Sequence, residues 1–103
     1  MKIKNAYDAS IEYEVTPIRT EYMNEGNLAI SLECEDGEPY GMLTVNLRGK
    51  LPEDMAYVDT NNIPDAERFI SENGLGTNTG ITMVSGFCIY PLYRFNLDKL
   101  ERR

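Results

Sequence analysis

A chain of 103 residues and 11.7 kDa has room for one domain around one ordinary core, which excludes a two-domain enzyme. Its composition of 42% hydrophobic, 10% aromatic and 26% charged residues belongs to folded globular proteins and not to disordered, collagenous or disulfide-dense chains. Ten basic against seventeen acidic side chains leave a net charge of −7, with no histidine anywhere. That sign argues against direct nucleic-acid binding, and the missing imidazole removes the commonest general base and transition-metal ligand, so neither an enzyme nor a cofactor or metal site is expected.

The N-terminal Met1 to Asp8 carries two lysines but no apolar h-region, and the long uncharged run from Gly74 to Leu92 is full of Gly, Thr and Asn. A cytoplasmic protein that makes no use of a membrane is therefore expected. Cys34 and Cys88 stand 54 positions apart, too few and too separated for a zinc site or a redox pair. Each falls in a strand-like run, which suggests two reduced, buried thiols.

In chain order, Ile11-Glu12-Tyr13-Glu14-Val15-Thr16 alternates with period two and reads as a strand with Ile11, Tyr13 and Val15 inward. Pro17 should bend that strand or place it at a sheet edge, and Asn24 to Asn27 makes a turn. Leu28 to Glu35 alternates without a fault, with Leu28, Ile30, Leu32 and Cys34 on one face. Asp36-Gly37 then turns the chain back into a partner strand from Tyr40 to Leu47, with Leu43, Val45 and Leu47 in one phase.

Met55 to Val58 is a fourth strand. Asn62 as N-cap, Pro64 in the first turn and the acids Asp65 and Glu67 predict a helix over 63–73, with Ile63, Ala66, Phe69 and Ile70 as its apolar stripe and Asn73-Gly74 as its stop. A loop at 74–80 follows. Thr79 to Phe95 reads as two strand segments joined at a bulge or bend, and Leu97 to Arg103 as a frayed polar end. The fold class is α+β: a single domain over 1–103, with a curved antiparallel sheet of five or six strands and the one helix packed on it.

Chemistry-bearing patterns are sparse. Gly74 to Gly80 has the spacing GxGxxxG, closes a helix instead of opening one and lacks a phosphate-binding lysine, so a helix C-cap explains it better than a phosphate cradle. Asp59, Asn61 and Asp65 supply oxygen donors, but Pro64 stands where a calcium loop needs another residue, and turn capping accounts for them. The pairs Glu12 with Glu14 and Glu33 with Glu35 each share a strand face, about seven ångströms apart by strand geometry. Two carboxylates suffice for glycoside hydrolysis, yet faces open to water favour a solvated role. Tyr90, Tyr93 and Phe95, with Phe87 nearby, are assigned to the core, and any that stay exposed would mark an interface.

Charge distribution says more than any pair. Residues 1–38 hold nine acids and three bases, a net of −6, while the remaining 65 residues sum to −1. Such a field attracts a basic protein partner, with Glu12, Glu14, Glu33 and Glu35 as the candidate contacts.

The blocks Tyr57-Val58-Asp59-Thr60-Asn61-Asn62, Phe69 to Gly76 and Ser85 to Tyr93, with the hairpin from Asn27 to Leu47, resemble an uncharacterised family of small proteins carried by conjugative and other mobile elements of Gram-positive gut bacteria. The resemblance covers most of the chain and implies an α+β fold of this size and a cytoplasmic accessory role in transfer or maintenance of the element. It carries no catalytic residues. Three functions stay open: a non-enzymatic acidic accessory or interaction protein, a mimic of DNA charge that occupies a defence or DNA-binding protein, and a small-molecule binder or small enzyme using Asp59, Asn61 and Asn78. Either a monomer or a homodimer is compatible with the sequence.

Overall fold

A computed structural model describes residues 1–102. Nine strands and one α-helix lie among them: β1 (Lys2–Lys4), β2 (Glu12–Glu21), β3 (Leu28–Cys34), β4 (Pro39–Met42), β5 (Thr44–Val45), β6 (Met55–Val58), α1 (Ala66–Glu72), β7 (Gly76–Ser85), β8 (Cys88–Phe95), a 3-10 turn (Leu97–Lys99) and β9 (Glu101–Arg102). The fold is α+β, as expected, but the one curved sheet is in fact two. The first runs β1-β2-β3-β4, with β9 parallel to β2, and the second runs β5-β6-β8-β7.

The division falls at Leu43, inside what the sequence presents as a single return strand. Its amide donates to the Ile30 carbonyl of β3 at 2.9 Å, and its carbonyl accepts from the Asp59 amide beyond β6 at 2.9 Å. One residue thus serves both ladders, and the chain crosses from the first sheet to the second there. Leu43 is fully buried in the main core, while Val45 and Leu47 pack in a second cluster with Tyr57, Tyr90 and Leu92. A shared periodic phase therefore feeds two different cores.

β3 follows its alternation in part: Leu28, Ile30 and Leu32 are buried and Cys34 is half-buried, but Ala29, out of that phase, is buried as well. β2 departs from its pattern. Val15 is buried, but Ile11 and Tyr13 are exposed, because this end of the strand lies beyond the region that β3 and α1 cover. Pro17 is buried in mid-strand opposite Leu32. The Val15 amide points to the Met1 carbonyl at 2.7 Å, and alternation turns position 17 toward the same side. There β1 has ended and β9 begins only at Ile18, so the missing N–H leaves no bond unmade.

The helix is shorter than expected and is capped differently. It begins at Ala66 with Asp65 as N-cap, and Asn62 lies in the preceding turn with its side-chain amide on Asp59. Asp65 makes no side-chain cap, since its carboxylate accepts the Lys4 amide at 2.8 Å and pairs with Arg68. The stripe holds: Ile63, Ala66, Phe69 and Ile70 are all buried. The stop also holds. Gly74 adopts φ +62° and donates to the Ser71 carbonyl at 3.2 Å, while Leu75 donates to Ile70 at 3.0 Å, a Schellman closure that turns the chain into β7.

Residues 76–80, expected as loop, are therefore strand, with a bulge between Asn78 and Thr82. A Cβ on Gly76 would sit 2.6 Å from the Arg94 carbonyl oxygen, so that glycine serves close approach of β7 to β8, not an anion. The predicted bend in 79–95 is a hairpin with the two-residue turn Gly86-Phe87 between Ser85 and Cys88. The tail is not frayed: Leu100 is buried, and Glu101 and Arg102 pair with β2. Arg103 lies outside the described residues. Cys34 and Cys88 are free and half-buried.

Candidate functional site

Three surface features bring together residues that could serve recognition. The first is a hollow of about 370 Å³ at the end of the first sheet, lined by Glu12, Tyr13, Glu14, Cys34, Glu35, Asp36 and Glu38. Antiparallel pairing places Val15 opposite Cys34, which brings the acid-rich start of β2 beside the turn that leaves β3. Three of the four predicted contact acids, Glu12, Glu14 and Glu35, meet here; Glu33 does not line the hollow. Glu14 is already engaged: the N-terminal ammonium holds its carboxyl below the usual carboxylate range, with Lys2 adding to the effect. Tyr13 stacks at a tilt on Tyr40, with ring centroids 5.4 Å apart.

The second feature is a hollow of about 480 Å³ lined by Asn5, Ala6, Tyr7, Tyr40, Gly41, Met42, Asp59, Asn62 and Ile63. Asp59 lies just past the end of β6 with 8% of its surface exposed. It accepts from the Asn62 amide at 3.2 Å and from Asn62 Nδ2 at 2.9 Å. Across it, the strap from Asn5 to Ser10 is closed by its own bonds. Asn5 Oδ1 accepts the amides of Tyr7 and Asp8 at 2.8 and 3.1 Å, and the Asn5 amide donates to the Ile11 carbonyl at 2.8 Å. Burial pushes the Tyr40 hydroxyl above its ordinary value, so the ring stays neutral at physiological pH.

The predicted trio of Asp59, Asn61 and Asn78 is not assembled. Asn61 is exposed in the turn after Asp59. Asn78, at the bulge of β7, donates to Glu67 Oε1 at 3.3 Å, where Tyr93 also donates at 2.6 Å. Among the described residues no three Cys, Asp or Glu side chains are grouped to hold a metal ion. Nor, among the described residues, is any helix long and apolar enough to cross a membrane.

The third feature is the far end of the β7–β8 hairpin. Val84 stands opposite Ile89 in the register, Phe87 caps the turn, and Ile81 sits in the bulge. All four are exposed: Ile81 at 55%, Val84 at 67%, Ile89 at 61% and Phe87 completely. The opposite face of the hairpin is anchored, with Tyr90 and Leu92 buried and Met83 packed against them. Tyr90, Tyr93 and Phe95 are core, as the sequence suggests; Phe87 alone of the four rings is surface. No charged residue occurs between Asn73 and Tyr93, the signal that marks this hairpin in the sequence. β7 is also an outer strand of its sheet, and it carries neither of the usual edge protections of charge or proline, only its bulge.

A family model described as "Domain of unknown function (DUF4313)" matches residues 18–103. No curated protein and no solved structure matches the chain.

Proposed function

The chain belongs to the family of domains of unknown function DUF4313, and from that premise we propose that it is a non-enzymatic interaction protein that docks a protein partner on the β7–β8 hairpin. One observation carries this reading: all 27 charged residues lie outside positions 73–93, while Ile81, Val84, Phe87 and Ile89 of that segment face water. Exposed apolar side chains clustered on one rigid hairpin mark interaction surfaces, and Phe is enriched at the centres of interfaces. The acidic body keeps the protein soluble and biases which partners approach. A cytoplasmic accessory role for a mobile element, implied by the resemblance above, fits a module of this kind.

The carboxylate-lined hollow favours a second reading, in which a basic partner or a protein that normally grips DNA sits on Glu12, Glu14 and Glu35. The two readings separate in a pull-down from host lysate at two salt concentrations. Hairpin docking predicts capture that resists salt and is lost in Phe87→Asp; acid-mediated docking predicts capture that salt releases and that Glu12→Lys with Glu35→Lys abolishes.

A further inference from the structure

The hollow around Asp59 differs from the other depressions in holding a buried carboxylate with no cation beside it. Among the described residues, Asp59 makes none of the ion pairs, although only 8% of its surface is exposed. The two hydrogen bonds to its carboxylate both come from Asn62, one to each oxygen, which leaves each oxygen able to accept again. A positively charged ligand would fill that acceptor capacity with charge-assisted hydrogen bonds. The other walls select the kind of cation. Asp59 is the one acid among the lining residues, and it belongs to no group of three Cys, Asp or Glu side chains that could hold a metal ion. Tyr40 is half-buried and Tyr7 is open to solvent on the strap, and aromatic faces attract organic cations. Met42 and Ile63 add apolar surface, and the amides of Asn5 and Asn62 add polar groups. The volume of about 480 Å³ suits a ligand of drug-fragment size or somewhat larger.

We propose that this hollow binds a small organic cation, an amine or amidine on a flat or apolar frame, with Asp59 as its counter-charge and Tyr40 and Tyr7 as its aromatic walls. The strap from Asn5 to Ser10 is held by its internal bonds in the position that shapes the site, so little ordering is required on binding. This site is separate from the β7–β8 hairpin and does not depend on the docking role assigned there.

The test uses the full chain and three matched probes, benzamidine, benzyl alcohol and benzoate, with binding followed by chemical-shift changes in the protein amides. Benzamidine should shift the amides of Gly41, Asn62 and the 5–8 strap in a saturable way. Benzyl alcohol should bind about tenfold or more weakly, since it forms no charge pair, and benzoate should not bind. Asp59→Asn, which keeps an oxygen for the Asn62 amide, should weaken benzamidine by a similar factor, and Tyr7→Ala, on an exposed side chain, should weaken it severalfold. Equal binding of the cation and its neutral analogue overturns the proposal whether or not the Asp59 variant folds. Absence of saturable shifts with benzamidine at millimolar concentration also overturns it, as does undiminished affinity in a folded Asp59→Asn.

Discussion

The Tyr93 hydroxyl donates to Glu67 Oε1 at 2.6 Å, and this one bond ties the helix α1 to the central strand β8 of the second sheet. Tyr93 is otherwise part of the main core, 6% exposed and next to Phe95. Replacing it by Phe keeps the packing and removes the charged hydrogen bond, so Tyr93→Phe should lower unfolding free energy by about 2 kcal/mol in denaturant titration. Asn78 still donates to the same carboxylate, which limits the loss.

The same contact sets an alkaline limit. Burial, reinforced by the Glu67 carboxylate, pushes the Tyr93 hydroxyl up to about 12 from the ordinary 10.0. The folded state thus favours the protonated ring, and its contribution is complete below pH 10 and is lost as pH rises through the raised value. Tyrosinate absorbance should show a step at about 12, and that step should be missing from Tyr93→Phe.

At the acid end, Asp65 works in the opposite direction. Hydrogen bonding to the Arg68 guanidinium, with help from the Lys4 amide, holds its carboxyl below the ordinary value of 3.8 against the effect of burial. A depressed carboxyl adds stability above its unfolded value and loses it as pH falls through the folded one. Asp65→Asn should therefore cost about 1 kcal/mol near neutrality, and the gap to the parent protein should narrow below pH 4 in thermal melts across pH.

Two glycines should respond differently to alanine. At Gly76 a methyl meets the Arg94 carbonyl oxygen at 2.6 Å, where backbone would have to move, whereas at Gly74 nothing lies within 4 Å and the only obstacle is φ +62°. Gly76→Ala should cost about 3 kcal/mol through overpacking and Gly74→Ala about 1 kcal/mol through the left-handed conformation. Equal costs in chemical denaturation would show that β7 does not approach β8 this closely.

Much of the fold is legible in the sequence where local pattern and tertiary burial agree. β3 alternates because the face that carries Leu28, Ile30 and Leu32 packs against the core, and the helix stripe at Ile63, Ala66, Phe69 and Ile70 is buried because the helix crosses that core. Pattern misleads where one period serves two environments. Leu43, Val45 and Leu47 share a phase yet enter two cores, and no local signal at Leu43 announces the crossing. The start of β7 reads as loop because Gly76, Asn78 and Gly80 are poor strand formers, and only pairing with β8 overrides that preference. Asn62 is a sound cap by residue type, but Asp59 competes for its side chain and the helix starts three residues later than that cap requires. Of the candidate site residues, the acids Glu12, Glu14 and Glu35 do converge, because strand pairing brings them together. Asp59 joins Asn62, Tyr7 and Tyr40 instead of Asn61 and Asn78, a grouping set by long-range folding alone.

The docking role of the hairpin is tested most directly by placing a photo-crosslinking amino acid at position 87 in the intact protein, and in a separate variant at position 23. Met23 is as fully exposed as Phe87 but lies in a turn far along the chain from the β7–β8 segment. Irradiation in host cells should yield a discrete protein adduct from position 87 and none from position 23. Adducts of equal yield from both positions, or none from position 87, would contradict the assignment of the hairpin as the docking surface.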